Sequence, residues 1–487
     1  MKRISFSWCI FFVALIFRLI PVLLTRSLGI GLDDMFQYDM LARSLATGNG
    51  FRWYAREDLE MLEQYVDFDL SSVDYDPVRG VPTTFRAPLY PAFLALIYYI
   101  AGMGAGRFFA ARLVQAGLGA LMAPLTYHIS QRLFPGIRPA AVTPAWAVAC
   151  YPMLIIYPIG LATENIFLLL VLTSFYLLLK IPNSQTPNHS SQHSSLYALL
   201  SGLFLSLAAL TRSVILPFAG LAVLWTWLVI KQKREAILMA LTMLLFIAPW
   251  VVRNSILDHK LTGIESSLGY NLYVGYHPDG NGSFLFGPSL DLVPILDDAE
   301  RDQLGTDQAL EFIRAEPGRL LPLALNRLGF FFGLEKRALI YFYSNDLLGY
   351  IPPSILLTIA AVLLLPFVMI VSSAVLGLAL ARSNPGMTLL YLLFFTYLLP
   401  HLLILSEDRF HLLLVPYFAI LATRTWTGGL RAFAVRWWES LAGKITVSLA
   451  VFVVILLFMN WGFELSRDAD RITALLGPSG NRTFFPY

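Results

Sequence analysis

Gly31-Leu32-Asp33-Asp34-Met35-Phe36-Gln37-Tyr38, running on to Gly48-Asn49-Gly50-Phe51, stands immediately after the first long apolar run of the chain. Two adjacent carboxylates therefore appear where that run leaves the membrane. Behind them Tyr38, Leu41, Ala42 and Leu45 fall at i, i+3, i+4 and i+7, one face of a helix. Gly48-Asn49-Gly50 then ends that helix. A paired acid at the start of a short amphipathic helix, close to a lipid surface, is the point around which the rest of the chain is expected to build a pocket.

Composition sets the environment. Of 487 residues, 57% are hydrophobic and 14% charged, whereas a soluble chain carries roughly a quarter charged residues. The chain is therefore read as an all-α polytopic membrane protein, each span needing about 20 apolar residues. The net charge of +3 is small and no basic stripe with interleaved aromatics exists, which argues against a nucleic-acid partner. Cys9 and Cys150 both lie inside apolar runs, so no disulfide framework is implied. Lys2 and Arg3 precede the apolar stretch Phe6 to Leu24, and no small-residue cleavage pattern follows, so this segment reads as an anchor.

Further apolar windows lie near 88–104, 107–129, 139–157, 161–179, 196–211, 213–230, 236–252, 354–380, 387–405, 411–423 and 445–463. Lys and Arg in short loops mark the inner side: Arg132 and Arg138, Lys180, Lys231 to Arg234, Arg382, and Arg424 to Lys444. These assignments agree if 88–104 does not cross completely but forms a juxtamembrane or re-entrant helix. About eleven spans result, with eleven to thirteen as the range. The expected organisation is a first span at 1–24, an outer loop with the acidic motif and juxtamembrane helices at 25–104, a transmembrane core at 105–252, a second outer loop at 253–350, C-terminal spans at 351–463 and an outer tail at 464–487. The stretch 25–87 holds eleven Asp and Glu against six Arg and no Lys, a net of −5. A polar Ser, Asn and His-rich piece at 182–195 reads as a linker. With both large loops on the outer face, chemistry is expected there. No internal repeat argues for an inverted-repeat transporter.

Several residues could carry that chemistry, each beside a plainer role. Asp34 fits a helix N-cap or a general base at the membrane surface, with Asp33 raising the pKa of one of the pair. Arg86, in Thr83-Thr84-Phe85-Arg86-Ala87-Pro88-Leu89-Tyr90-Pro91, could clamp a lipid-linked phosphate or simply snorkel. Glu164 begins a span at its outer end, where a carboxylate suggests function or a favourable helix dipole. Arg212 and Arg253 fall at outer span ends against the positive-inside bias, which suits either an anionic ligand or structural anchoring. Glu407-Asp408-Arg409-Phe410-His411 forms a short outer turn, paired within itself or part of a pocket rim. Arg18, buried within the first span, needs a partner that the sequence does not name. The acid pairs Asp67/Asp69 and Asp74/Asp76 have metal-like spacing, but such spacing arises by chance in an acidic loop, and no metal or other cofactor is predicted.

The order of these segments carries a resemblance. Asp34 with Tyr38 four residues on, Ala42, Leu45, Gly48, then Arg86-Ala87-Pro88-Leu89-Tyr90-Pro91, Arg112, Thr163-Glu164, Leu210-Thr211-Arg212, Pro249-Trp250 with Arg253-Asn254, Asn271 to Gly275, and Arg409-Phe410 with Pro416 resemble bacterial C-type (GT-C) glycosyltransferases. The group is that of the dolichyl-phosphate-mannose–protein mannosyltransferases, glycosyltransferase family 39, which includes the aminoarabinose transferases. The likeness covers most of residues 5–425. It implies a GT-C fold, a polyprenyl-phosphate-linked sugar as donor and an inverting transfer to a hydroxyl acceptor on the outer side of a cytoplasmic membrane. The family's catalytic Asp maps to Asp34, its basic residue to Arg86 and its second outer acid to Glu164. Where the family often has Asp-Glu, here Met35 follows and the extra acid precedes as Asp33, keeping both as candidates. The implied site is Asp34 and Asp33 for catalysis, Arg86, Arg212 and Arg253 for the donor phosphate, and Tyr38, Tyr90, Glu164, Arg409 and His411 lining the pocket. The rival reading from another class is a transporter or flippase for a lipid-linked or anionic substrate.

Overall fold

The computed structural model describes residues 5–182, 191–344, 346 and 348–482. The linker expected at 182–195 lies largely outside the described residues, as does the end of the C-terminal tail. The chain is an all-α polytopic membrane protein. Among the described residues the only paired strands are Arg52–Trp53 and Val81–Pro82, two residues each and antiparallel.

Among the described residues six helices are long and apolar enough to cross a membrane: Phe6–Leu24, Gly106–Leu133, Lys233–Leu257, Pro353–Leu380, Pro385–Leu403 and Leu441–Arg467. A seventh crossing is available to Arg138–Ala149 with Pro152–Ile159, bent by 52° at the intervening break. The windows at 161–179, 196–211 and 213–230 appear as the shorter apolar helices Glu164–Leu178, His193–Ala209 and Ser213–Leu228. Eleven crossings thus require these three shorter helices and the 411–423 window to cross as well. Their compactness reflects where they sit. Phe167, Leu168, Val171, Leu172 and Phe175 are all buried in the main core and leave little of Glu164–Leu178 facing lipid. The window at 411–423 is the buried first half of Val415–Glu439. Gly429, with φ of 56°, breaks that helix. Beyond it Leu430, Val435 and Trp438 are exposed.

Leu89–Ala101 has 13 residues, about 20 Å at the helical rise, short of the ~30 Å hydrocarbon core. Its Tyr90, Leu94, Ile97 and Tyr98 pack with Tyr38 and Ala42 of Asp34–Ala46. The apolar face read at 38–45 therefore meets this short helix.

Arg18 finds its partner in the break of the bent pair. Its guanidinium donates to the carbonyls of Val148 and Ala149 at 3.2 and 3.3 Å, at the end of Arg138–Ala149, and to Ala14 at 3.0 Å. Carbonyls at a helix C-terminus lack intrahelical donors, so a buried cation there satisfies them without a counter-ion. Arg112 does the same work on two segments at once. It donates to Leu28 (2.6 Å), Gly29 (2.7 Å) and Thr25 (3.4 Å) on the linker before the acidic pair, and to Ile159 (2.7 Å) on the turn before Thr163-Glu164. Arg327 joins Gly275 to Leu402 and Leu403 by carbonyl bonds of 2.7 to 3.2 Å.

In the second large segment, Leu268–Tyr276 lies backbone to backbone against Asp298–Ala315. Gly269 makes this approach feasible: a Cβ there would stand 1.8 Å from the Asp302 carbonyl oxygen. The Gly269 amide donates to Asp302 Oδ1 at 2.7 Å.

Candidate active site

The two adjacent acids have different tasks. Asp33 is the N-cap of Asp34–Ala46, its Oδ1 accepting the Met35 amide at 2.8 Å. That capping geometry turns Asp34, the first helical residue, toward the protein. Asp34, Gln37 and Tyr38 share one helix face, at i, i+3 and i+4. Arg86 lies across this face. Its guanidinium bonds Asp34 Oδ1, and its Nε and Nη2 donate to Gln37 Oε1 at 2.8 and 2.5 Å. The Tyr38 and Phe85 rings flank the cation at 5.3 and 5.1 Å.

The other oxygen of Asp34 accepts from Arg409 Nη1 at 3.2 Å. Arg409 Nε lies 2.6 Å from Glu407 Oε2, and Glu407 Oε1 accepts from Arg337 Nη2 at 2.7 Å. Arg337 Nε stands 3.8 Å from Asp408. Beside this chain Glu164 Oε1 accepts from Arg212 Nη1 at 2.5 Å. The Phe410 ring lies under both cations, 5.2 Å from Arg212 and 5.5 Å from Arg409, and joins the two groups. Four guanidiniums and their carboxylates thus come from six stretches far apart in sequence.

Asp34 and Arg86 keep 34% and 19% of their side-chain surface exposed and Arg409 23%, while Glu164 and Glu407 keep 5% and 4%. A ligand can therefore reach Asp34 and the arginines, with the two glutamates set behind them. Burial alone would raise the Asp34 carboxyl, but the Arg86 and Arg409 charges outweigh it and hold the group well below the usual carboxylate range. Glu407 is lowered in the same way, burial being overcome by Arg337 and Arg409. Asp33 moves oppositely: loss of water around its carboxyl, then the Asp34 charge, push it up although the residue reaches the surface. Burial pushes the Tyr38 hydroxyl up to about 12, so it stays a proton donor at neutral pH.

Of the residues expected at the site, Asp34, Arg86, Tyr38, Arg409, Glu164 and Arg212 come together. Asp33 stands at the edge as the cap. Tyr90 supports from behind: its ring meets Tyr38 edge-on at 5.0 Å and its hydroxyl donates to Gln115 Oε1 at 2.6 Å.

Arg253 and His411 do not join the cluster. Arg253 stacks on Trp250 at 4.8 Å and donates to the Thr83 carbonyl at 2.6 Å, behind the segment that carries Arg86. His411 follows Arg409 by two residues in the three-residue-per-turn helix Asp408–Leu414, which points it about a third of a turn away. It is fully buried, stacked on Phe367 at 4.1 Å, with ring nitrogens 2.6 Å from the Phe331 carbonyl and 2.9 Å from Glu335 Oε1.

Arg337 and Gln37 were not anticipated. Gln37 was legible as the residue one turn after Asp34. Glu335-Lys336-Arg337 is a charged run of the same kind as Glu407-Asp408-Arg409, and that was the available signal for Arg337.

Among the described residues no three His, Cys, Asp or Glu side chains gather as a metal-binding set. Asp69 and Asp76 instead hold local turns, accepting from the backbone of Ser71 and of Val78 and Arg79.

No family model and no curated protein sequence matches the chain. Solved structures are similar at low identity. ArnT from Cupriavidus metallidurans, in a structure bound to undecaprenyl phosphate, matches with 14% identity over 89% of this chain and 80% of its own, at a TM-score of 0.39. The apo oligosaccharyltransferase of Archaeoglobus fulgidus matches with 14% identity over 100% of this chain and 60% of its own, at 0.49. The archaeal oligosaccharyltransferase AglB from the same organism, in complex with an inhibitory peptide and a dolichol phosphate, matches with 14% identity over 99% and 60%, at 0.46. This chain therefore spans about three fifths of the length of those oligosaccharyltransferases.

Proposed function

We propose that the chain is a membrane glycosyltransferase. It moves a hexosyl or pentosyl unit from a polyprenyl-phosphate donor to a hydroxyl acceptor at the outer face of the cytoplasmic membrane, with inversion and with Asp34 as general base. The observation that supports this best is the Asp34 carboxylate held between Arg86 and Arg409 on an open face of the protein. The order of sequence motifs points the same way.

The chemistry needs three things, and the cluster contains candidates for each. A phosphate leaving group requires cations in a partly dry site, where such contacts are strengthened; Arg86, Arg409 and Arg212 are the candidates for this. The acceptor hydroxyl requires a base that is ionised at neutral pH, as Asp34 is. The base must also be freed when needed. Two guanidiniums make Asp34 a weak base at rest, and a donor phosphate competing for Arg86 and Arg409 would return basicity to it. In the transfer, the acceptor oxygen bonds the anomeric carbon as the carbon–oxygen bond to phosphate breaks. The electron pair leaves on the phosphate oxygen and the acceptor proton passes to Asp34.

The test is reconstitution of the purified chain in vesicles with radiolabelled polyprenyl-phosphate sugars and an extract of acceptors. Label transferred to an acceptor, dependent on Asp34, is the expected result. Movement of the intact donor between leaflets without transfer would establish the transporter reading instead.

A further inference from the structure

The segment that delivers Arg86 to the cluster is gripped by a carboxylate from the second large segment. Asp298 Oδ2 accepts three hydrogen bonds from consecutive residues: Thr83 Oγ1 at 2.5 Å, the Thr84 amide at 2.7 Å and the Phe85 amide at 3.1 Å. Its other oxygen is paired with Arg301. Both Asp298 and Arg301 are buried, 5% and 3% exposed. The Arg301 guanidinium then lies over the Phe85 ring at 4.3 Å, so one ion pair fixes both the backbone and the side chain of the residue before Arg86. Neither partner touches Asp34, Arg409 or Arg212.

A buried ion pair is weak evidence for stability, because desolvation opposes the attraction. A buried carboxylate with one oxygen given over to three donors of one short segment is better explained by placement. Three donors converging on one oxygen set the path of residues 83–85, and Pro88 then begins the next helix. Arg86 therefore leaves a backbone fixed on both sides. Its head must reach Asp34 and Gln37 at once, and an error near 1 Å in such a contact can cost on the order of 100-fold in rate.

We propose that Asp298, with Arg301, is a positioning residue for Arg86, through which the second large segment of the chain sets the geometry of the donor site. This rests on the reading of Arg86 as a donor-phosphate ligand. It adds a function for the start of the helix Asp298–Ala315, a part of that segment separate from Arg337 and the cluster.

The experiment has two arms on the full-length protein in detergent. In the first, a fluorescent polyprenyl phosphate is titrated into wild type, Asp298→Asn, Arg86→Ala and the double variant. Asp298→Asn is expected to weaken binding about tenfold, and to add less than about twofold once Arg86 is already Ala, as coupled residues should. Equal losses in both backgrounds, or unchanged binding by a folded Asp298→Asn protein, would overturn the proposal. Thr83→Val removes one of the three bonds with almost no change in shape. It serves if Asp298→Asn does not fold, and the same non-additivity is expected of it.

The second arm does not depend on the ligand. With Cys9→Ser, Cys150→Ser and Arg86→Cys, the rate of alkylation by maleimide reports the freedom of position 86. Adding Asp298→Asn or Thr83→Val is expected to raise that rate several-fold, and an unchanged rate refutes the clamp. A raised rate in a protein whose wild type binds no polyprenyl phosphate would keep the clamp and defeat the glycosyltransferase reading.

Discussion

Replacing each of the two adjacent acids by its amide separates their tasks. Asp34 bears on both Arg86 and Arg409, and as general base it would account for about 10²- to 10⁴-fold of the rate. Asp34→Asn keeps the size of the side chain and one acceptor oxygen, but cannot take a proton. A fall in kcat of about 10²- to 10⁴-fold is therefore expected. Donor binding should hold or tighten, because Arg86 and Arg409 are released to the phosphate. Asp33 only accepts the Met35 amide. Asparagine caps a helix about as well as aspartate, so Asp33→Asn should leave kcat within about threefold, and Asp33→Ala should cost only about 1 kcal/mol of stability. The assay is single-turnover transfer from a radiolabelled donor, with donor affinity measured separately. If Asp34→Asn retains kcat within about tenfold of wild type, or if Asp33→Asn is the more damaged of the two, the division of labour drawn from the capping geometry is wrong.

Arg86→Ala should chiefly weaken donor affinity, and unchanged affinity would remove it from the site. Asp34 and Glu407 are carboxyls whose folded values lie below their unfolded ones, so the stability they add is complete above the unfolded value near pH 4 and is lost only as pH falls through the folded values. Melting scans should thus show no pH dependence arising from these two groups between about pH 5 and 7, where their contribution is full and constant. Arg409→Gln removes one of the cations that lower Asp34, so the acid limb of activity should move to higher pH; a limb that stays or moves down contradicts the pairing. His411→Ala would leave Glu335 buried without its partner and should destabilise by about 3–5 kcal/mol, seen as a lower melting temperature, while donor affinity in the folded protein stays within about twofold. A selective loss of affinity would return His411 to the pocket.

What could be read ahead of the structure, and what could not, follows from the range of the interactions. The helix behind Asp34 was legible because its apolar spacing is local, and so were the long spans. Asp34 and Arg86 each stood out in the motif order, and the structure pairs them directly. The pairing of Glu164 with Arg212 was not legible, although each stood out alone, because nothing local links residues 48 apart. Arg253 stood out by the same rule as Arg212, a cation at an outer span end. The two differ only in what faces them, a carboxylate in one case and backbone carbonyls in the other. His411 stands in the same short turn as Arg409, but two positions apart in a three-residue-per-turn helix the side chains point about a third of a turn apart, which the sequence of the turn does not reveal. Apolar windows do not reveal which segments form long helices and which form short or bent ones, since apolar sequence serves a protein core as well as it serves lipid.

Arg112 holds the linker at residues 25–29 and the turn at Ile159 with one planar group. Loops are ordinarily where insertions and deletions collect with little penalty. Here the guanidinium works as a ruler, since the number of residues between Phe6–Leu24 and the acidic pair is fixed by the reach of a side chain on another helix. A single residue added between Thr25 and Gly29 would slip every later carbonyl off its donor and carry Asp34 away from Arg86. The flank of this site is thus among the least elastic parts of the chain, and a variant altered only in that length should fold around a disassembled cluster.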